Sequence, residues 1–189
     1  LDGVLVGLGA AEGEEELVLT AWRKLAVPHA LLVLVPRHPQ RFGAVAELLA
    51  REKISFGRRS EGLPGSETQV WLGDSMGEMA AYFTLADVAF IGGSLLPLGG
   101  QNLIEAAACG CPSVVGPHTF NFLQATADAI AAGAALRVDD ADGLAAAIGR
   151  VFGDSGELGA MRAAALSFAA AHRGATERTV ALIRSALTS

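Results

Sequence analysis

Val88-Ala89-Phe90-Ile91-Gly92-Gly93-Ser94-Leu95-Leu96-Pro97-Leu98-Gly99-Gly100-Gln101-Asn102-Leu103-Ile104-Glu105 is the stretch on which the reading of the chain turns. An apolar run over 88–91 with no polar alternation predicts a strand buried on both faces. A glycine-lined loop follows, then a short helix expected over Leu103–Cys109 and stopped by Gly110 and Pro112. In regular structure each glycine costs about 0.5–1 kcal/mol relative to Ala, so Gly92, Gly93, Gly99 and Gly100 suit a chain that turns sharply or lies against a ligand. A helix start offers unpaired N–H donors, the usual anchorage for a phosphate. Asn102 and Glu105 are three apart and share a helix face. A carboxylate one turn in can accept two hydrogen bonds from ribose hydroxyls. The competing reading is a purely structural glycine turn.

Outward from this stretch the same alternation continues in both directions. Strands are expected at Val4–Leu8, Ala30–Val35, Ile54–Gly57, Gln69–Leu72, Ser113–Val115 and Ala135–Val138. Between them lie helical segments. Glu14–Leu25 carries Leu17, Val18, Ala21, Trp22 and Leu25 on one stripe. A second helix, opened by Pro39, turns Phe42, Val45, Leu48 and Leu49 inward. Others are expected at Met76–Leu85 and Phe122–Ala132, and then in three pieces from about Asp142: to Phe152, from about Glu157 to His172, and from Thr176 to Leu187. Strands apolar on both faces and separated by helices imply a single α/β domain over residues 1–189. It is a Rossmann-like, doubly wound parallel sheet with helices on both faces. Such domains bind ligands beyond the carboxyl ends of the strands, so the search narrows to those loops.

Gly7-Leu8-Gly9 opens like a dinucleotide fingerprint, but Glu12 stands where the third glycine belongs, and the segment is read as a tight strand-to-helix turn. Pro36-Arg37-His38-Pro39 fixes Arg37 at the sheet's carboxyl edge, where a guanidinium can pair with phosphate or carboxylate. The alternative is a structural pair with Glu78 or Glu105. Gly73-Asp74-Ser75-Met76-Gly77-Glu78 has the S-x-x-E spacing of a capping box, and Gly77 would let a base or sugar approach the main chain. Asn121 is a plausible N-cap for the helix that follows, and His118 reads as a satisfied loop histidine.

Composition excludes several functions. Hydrophobic residues make up 51% of the 189, which argues against disorder. No apolar stretch approaches the roughly 20 residues that span a bilayer. The formal net charge is -6 and the short basic group Arg58-Arg59 is too small for a nucleic-acid footprint. Cys109 and Cys111, separated by Gly110, are too close for an unstrained disulfide and have no partners for a zinc set. They read as free thiols in a reducing compartment, and the chain calls for no metal and no cofactor. It starts at Leu1 and runs almost at once into a strand, as a domain excised from a longer protein would.

Taken in order, Pro36-Arg37-His38 with Arg41-Phe42, Gly73 to Met79 with Tyr82, Ala86 to Leu95, Gly99 to Glu105, and Gly116-Pro117-His118 with Asn121-Phe122 resemble the C-terminal domain of the Kdo transferases, inverting enzymes of the GT-B fold. The resemblance implies that this half binds the CMP part of CMP-Kdo. By it, Arg37, Met76, Gly77 and Glu78 line the base and phosphate region, Ser94 and Asn102 face the phosphate, Glu105 faces the ribose, and Gly93 belongs to the same donor-nucleotide site. It also implies an N-terminal domain of the same protein that carries the catalytic base, a lipid A precursor as acceptor, and work at the cytoplasmic face of the bacterial inner membrane. No residue of this chain is then the base. Three positions depart from the family pattern: Gln101 replaces His, Ala106 replaces Pro, and Leu8-Gly9 replaces a small polar pair. Gln101 keeps hydrogen bonding but cannot carry a proton or charge.

Overall fold

Apolar runs of strand length can satisfy their main chain only against one another, and here they form one parallel sheet. The computed structural model describes residues 3–172 apart from 10–12, 26 and 28. The strands are β1 (Gly3–Gly9), β2 (Ala30–Pro36), β3 (Phe56–Arg58), β4 (Val70–Leu72), β5 (Val88–Ile91), β6 (Ser113–Val115) and β7 (Ala135–Arg137), in the order β3-β4-β2-β1-β5-β6-β7. The helices are α1 (Glu14–Lys24), α2 (Arg41–Arg51), α3 (Met79–Leu85), α4 (Ile104–Ala108), α5 (Leu123–Ala131), α6 (Ala141–Gly153) and α7 (Ser155–His172). The helix expected over Thr176–Leu187 lies outside the described residues.

Because side chains alternate along a strand, each buried strand feeds two cores. Val88 and Phe90 join Leu32 and Leu34 on one face, under α1, α2 and α6 through Val18, Leu49 and Ile148. Ala89 and Ile91 join Val33 and Val35 on the other, under α3, α4 and α7 through Phe83, Ala107 and Phe168. The chain winds away from β1 in one direction through β2 and in the other through β5, so the order reverses between β1 and β5. A crevice outside the carboxyl ends at that point is the expected ligand position.

Four local expectations change. Gly7-Leu8-Gly9 is strand, not turn, paired with Leu34, Val35 and Pro36 of β2. The inward stripe of α1 holds, with Val18 and Ala21 in the core and Leu17, Trp22 and Leu25 half-buried against it, and it also takes in Glu14 and Glu15. The third helix begins at Met79, because Gly77 has φ 80° and cannot continue a right-handed turn. The Ser75 hydroxyl then donates to the Glu78 carboxylate itself and no capping box closes. Finally, Asn121 sits in a 3-10 turn, with its side chain donating to the carbonyls of Leu98 (3.2 Å) and Gly100 (3.5 Å), and α5 starts two residues later.

Candidate functional site

The loop that leaves β5 is shaped by its own main chain. Gly100 N–H donates to Gly93 O across 2.7 Å and Gln101 N–H to Gly92 O across 3.0 Å, so the two glycine pairs are stapled together. Gly93, Gly99 and Gly100 have φ of 74°, 91° and 74°, which an L-residue seldom adopts. The loop after β6 packs beneath. Gly116 N–H donates to the Ser94 hydroxyl at 2.8 Å, that hydroxyl donates to Ile91 O, and His118 N–H reaches Ser94 O at 2.9 Å. Ser94 is fully buried, and its hydroxyl hydrogen is committed inside the protein.

At the start of α4 the Asn102 side chain works in two directions. Its oxygen accepts from Ile104 N–H at 3.0 Å, and its nitrogen donates to Glu105 at 3.1 Å. Glu105 remains exposed. Across from it Arg37 projects from the turn after β2, also exposed, and among the described residues no carboxylate lies within ion-pair distance of it. Arg37, Asn102 and Glu105 line one cleft of about 480 Å³, with Gly100 and Gln101 on the same wall and Phe83 and Phe122 as apolar lining. This volume lies in the range of small-molecule sites. The Gln101 side-chain nitrogen is buried and has no hydrogen-bond partner among the described residues.

The other sequence-derived candidates fall elsewhere. Gly93 and Ser94 lie buried behind the cleft wall, their N–H groups accepted by Glu14. Met76 and Gly77 are exposed and outside the cleft lining. Glu78 pairs with Arg59 at 2.8 Å. The Ser75 hydroxyl and then Arg59 hold its carboxyl below the usual range. Arg58 meets Asp74 at 2.9 Å, so the short basic group is spent on local ion pairs. A larger cleft of about 740 Å³ lies at the amino ends of β2 and β4, between Trp22, His29, Lys53 and Thr68, and the Arg23–Glu52 pair lies within it. It sits at the wrong end of the strands for a doubly wound fold, so the smaller cleft is the candidate.

Sequence reasoning passed over Glu14 and Glu15, both buried. A signal was present: each stands four residues before a core position, Val18 and Leu19, and so falls on the inward stripe.

No family model matches the chain. The 3-deoxy-D-manno-octulosonic acid transferase of Bordetella pertussis is 48% identical over 176 residues, covering 89% of this chain and 41% of that one. The solved C-terminal CMP-Kdo binding domain of WaaA from Acinetobacter baumannii is 32% identical with a TM-score of 0.82, covering 88% of each chain. The chain belongs to the Kdo transferase family. Its fold is that of the family's C-terminal, Rossmann-like GT-B domain. The Anabaena HepE structure in complex with UDP and glucose, 16% identical with a TM-score of 0.67 over 99% of this chain and 48% of that one, shares this fold. As a Kdo transferase family member the chain spans 41% of its Bordetella relative's length. Among the described residues no helix is long and apolar enough to cross a membrane.

Proposed function

We propose that this chain is the donor-binding domain of an inverting glycosyltransferase that moves Kdo from CMP-Kdo to a hydroxyl of a lipid A precursor. The observation that carries the reading is the convergence of Arg37, Asn102 and Glu105 on one cleft, in a chain that fits 88% of a CMP-Kdo binding domain. In this reading Glu105 accepts hydrogen bonds from the ribose hydroxyls, and Asn102 fixes the carboxylate that does so. Arg37 pairs with the phosphate in a forked geometry, which neutralises charge that builds on the leaving CMP. Gly100 lets the nucleotide lie against main chain. The base that activates the acceptor belongs to an N-terminal domain of the same protein, which works at the cytoplasmic face of the inner membrane. This domain alone binds the donor nucleotide and turns nothing over.

The experiment is a calorimetric titration of the chain with CMP, UMP and GMP side by side. Saturable binding of CMP, at millimolar affinity or tighter, is expected, with amide shifts at Glu105 and Gly100. Tighter binding of UMP or GMP would move the donor to another nucleotide sugar. No response to any of the three at saturating concentration would overturn the reading.

A further inference from the structure

Two adjacent carboxylates, Glu14 and Glu15, are 0% and 1% exposed, an arrangement that is unfavourable unless each charge is answered in place. They are answered by different partners. Glu14 reaches across from the start of α1 and accepts from three successive main-chain donors of the β5 loop: Gly93 at 2.5 Å, Ser94 at 3.0 Å and Leu95 at 3.1 Å. Such a fan of N–H groups is a concave anion seat, and here the protein fills it with its own side chain. Glu15 pairs with Arg41 at 3.3 Å, and Arg41 N–H closes the turn after β2 by donating to His38 O at 2.9 Å.

We infer that Glu14 and Glu15 are positioning residues of the donor cleft, each fixing one of the two loops that meet across it. The Glu14 path runs through the Gly93 peptide, whose carbonyl receives Gly100 N–H. From there it reaches the wall formed by Gly100, Gln101, Asn102 and Glu105. The Glu15 path runs through Arg41 to the turn that bears Arg37. Neither glutamate lines the cleft. Both stand on the same turn of one helix, and Val18, Leu19 and Ala21 bed that helix in the core, so the two walls share a single anchor. Apolar residues at 14 and 15 would fill the space with less desolvation cost. The carboxylates supply directed acceptors: Glu14 holds the β5 loop's amides in one arrangement, and Glu15 holds the Arg41 guanidinium. The readout rests on the donor-binding reading above, but the loop geometry can be read without nucleotide.

The test uses Glu14→Gln, Glu14→Asp and Glu15→Gln in this chain. CMP affinity is measured well below each variant's melting temperature, and hydrogen exchange of the loop amides is followed with no nucleotide present. Glu14→Gln leaves donors unpaired, and we expect CMP affinity to fall by about tenfold or more, with faster exchange at Gly93, Ser94, Gly100 and Gln101. Glu15→Gln should weaken CMP binding and loosen the Arg37–Arg41 turn while sparing the β5 loop. Glu14→Asp, which keeps the charge, should recover part of the affinity. Variants that melt earlier but bind CMP like the parent, with unchanged exchange at Gly100 and Gln101, would show a purely stabilising role and sink the inference. Should Glu14→Gln fail to fold, Glu14→Asp and Glu15→Gln carry the same comparison. If the parent chain binds no CMP, the donor reading falls, and the positioning claim stands or falls on the exchange pattern alone.

Discussion

Asn102 donates to Glu105 across 3.1 Å while its oxygen holds the Ile104 amide at 3.0 Å, so one side chain both opens α4 and aims the cleft's carboxylate. Replacing Glu105 with Gln keeps the shape and removes the charge. Because Glu105 is exposed, the melting temperature should stay close to that of the parent. CMP affinity should fall by about tenfold, the scale of a hydrogen bond to a charged group. Calorimetry and a thermal melt on the same sample separate the two effects.

Arg37 should behave similarly for a different reason. Its guanidinium is exposed and has no ion-pair partner among the described residues, so Arg37→Ala removes nothing the fold uses. We expect unchanged stability and a loss of CMP binding of about tenfold or more. The loss should shrink for cytidine, which lacks the phosphate. An equal loss for CMP and cytidine would place Arg37 away from the phosphate.

Gly116 is fixed by contact and not by φ. A Cβ there would lie 2.3 Å from the Ser94 carbonyl oxygen. Gly116→Ala must therefore push the β5 and β6 loops apart, at a cost of about 1–3 kcal/mol in denaturant unfolding. An unchanged unfolding midpoint would mean that these loops are more pliant than the contact implies.

The pattern that was legible in the sequence is the one burial writes directly. All seven strands and the order of the helices follow from apolar runs and their period, and Val88–Ile91 matches to the residue. Arg37, Asn102 and Glu105 could be placed because each directly follows a strand end or opens a helix. What escaped were features that depend on distant partners. Ser94 looks like a loop hydroxyl until Gly116, 22 residues on, takes it as an acceptor. Glu14 and Glu15 look like surface acids at a helix start until the β5 loop, 79 residues away, and Arg41 at the start of α2, 26 residues away, supply their donors. Periodicity reports which face is buried; it does not report which polar group waits there.

Asp74 links the end of β4 to the turn after β3. Burial pushes its carboxyl up, but the Ser60 hydroxyl (2.7 Å) and amide (2.8 Å) and Arg58 outweigh this and hold it below its ordinary value. A carboxylate with a depressed folded value stabilises the fold above its unfolded value of 3.8 and loses that contribution as pH falls through the folded value. Asp74→Asn should therefore unfold more easily than the parent at neutral pH, and the gap should close in strong acid. Denaturant midpoints across a pH series would show it. A constant gap would assign the loss to shape instead of charge.

Cys111 is buried, and burial raises its thiol to about 12, whereas Cys109 is half-buried. At mildly alkaline pH a thiol reagent should modify Cys109 and leave Cys111 until the chain unfolds. Equal labelling of both in the native chain would contradict the packing around Cys111.

The sheet order has a mechanical consequence for the cleft. Arg37 follows β2 and Glu105 follows β5, and these strands are not neighbours, since β1 runs between them. Two strand spacings, about 9.5 Å, thus separate the strands from which the two jaws spring. A glycine of β1, Gly7, would carry a Cβ only 3.3 Å from Val18 and 3.5 Å from Leu32, so bulk added there has little room. The jaws therefore spring from points that the sheet fixes, and differences in what the mouth admits belong to the loops that rise from them.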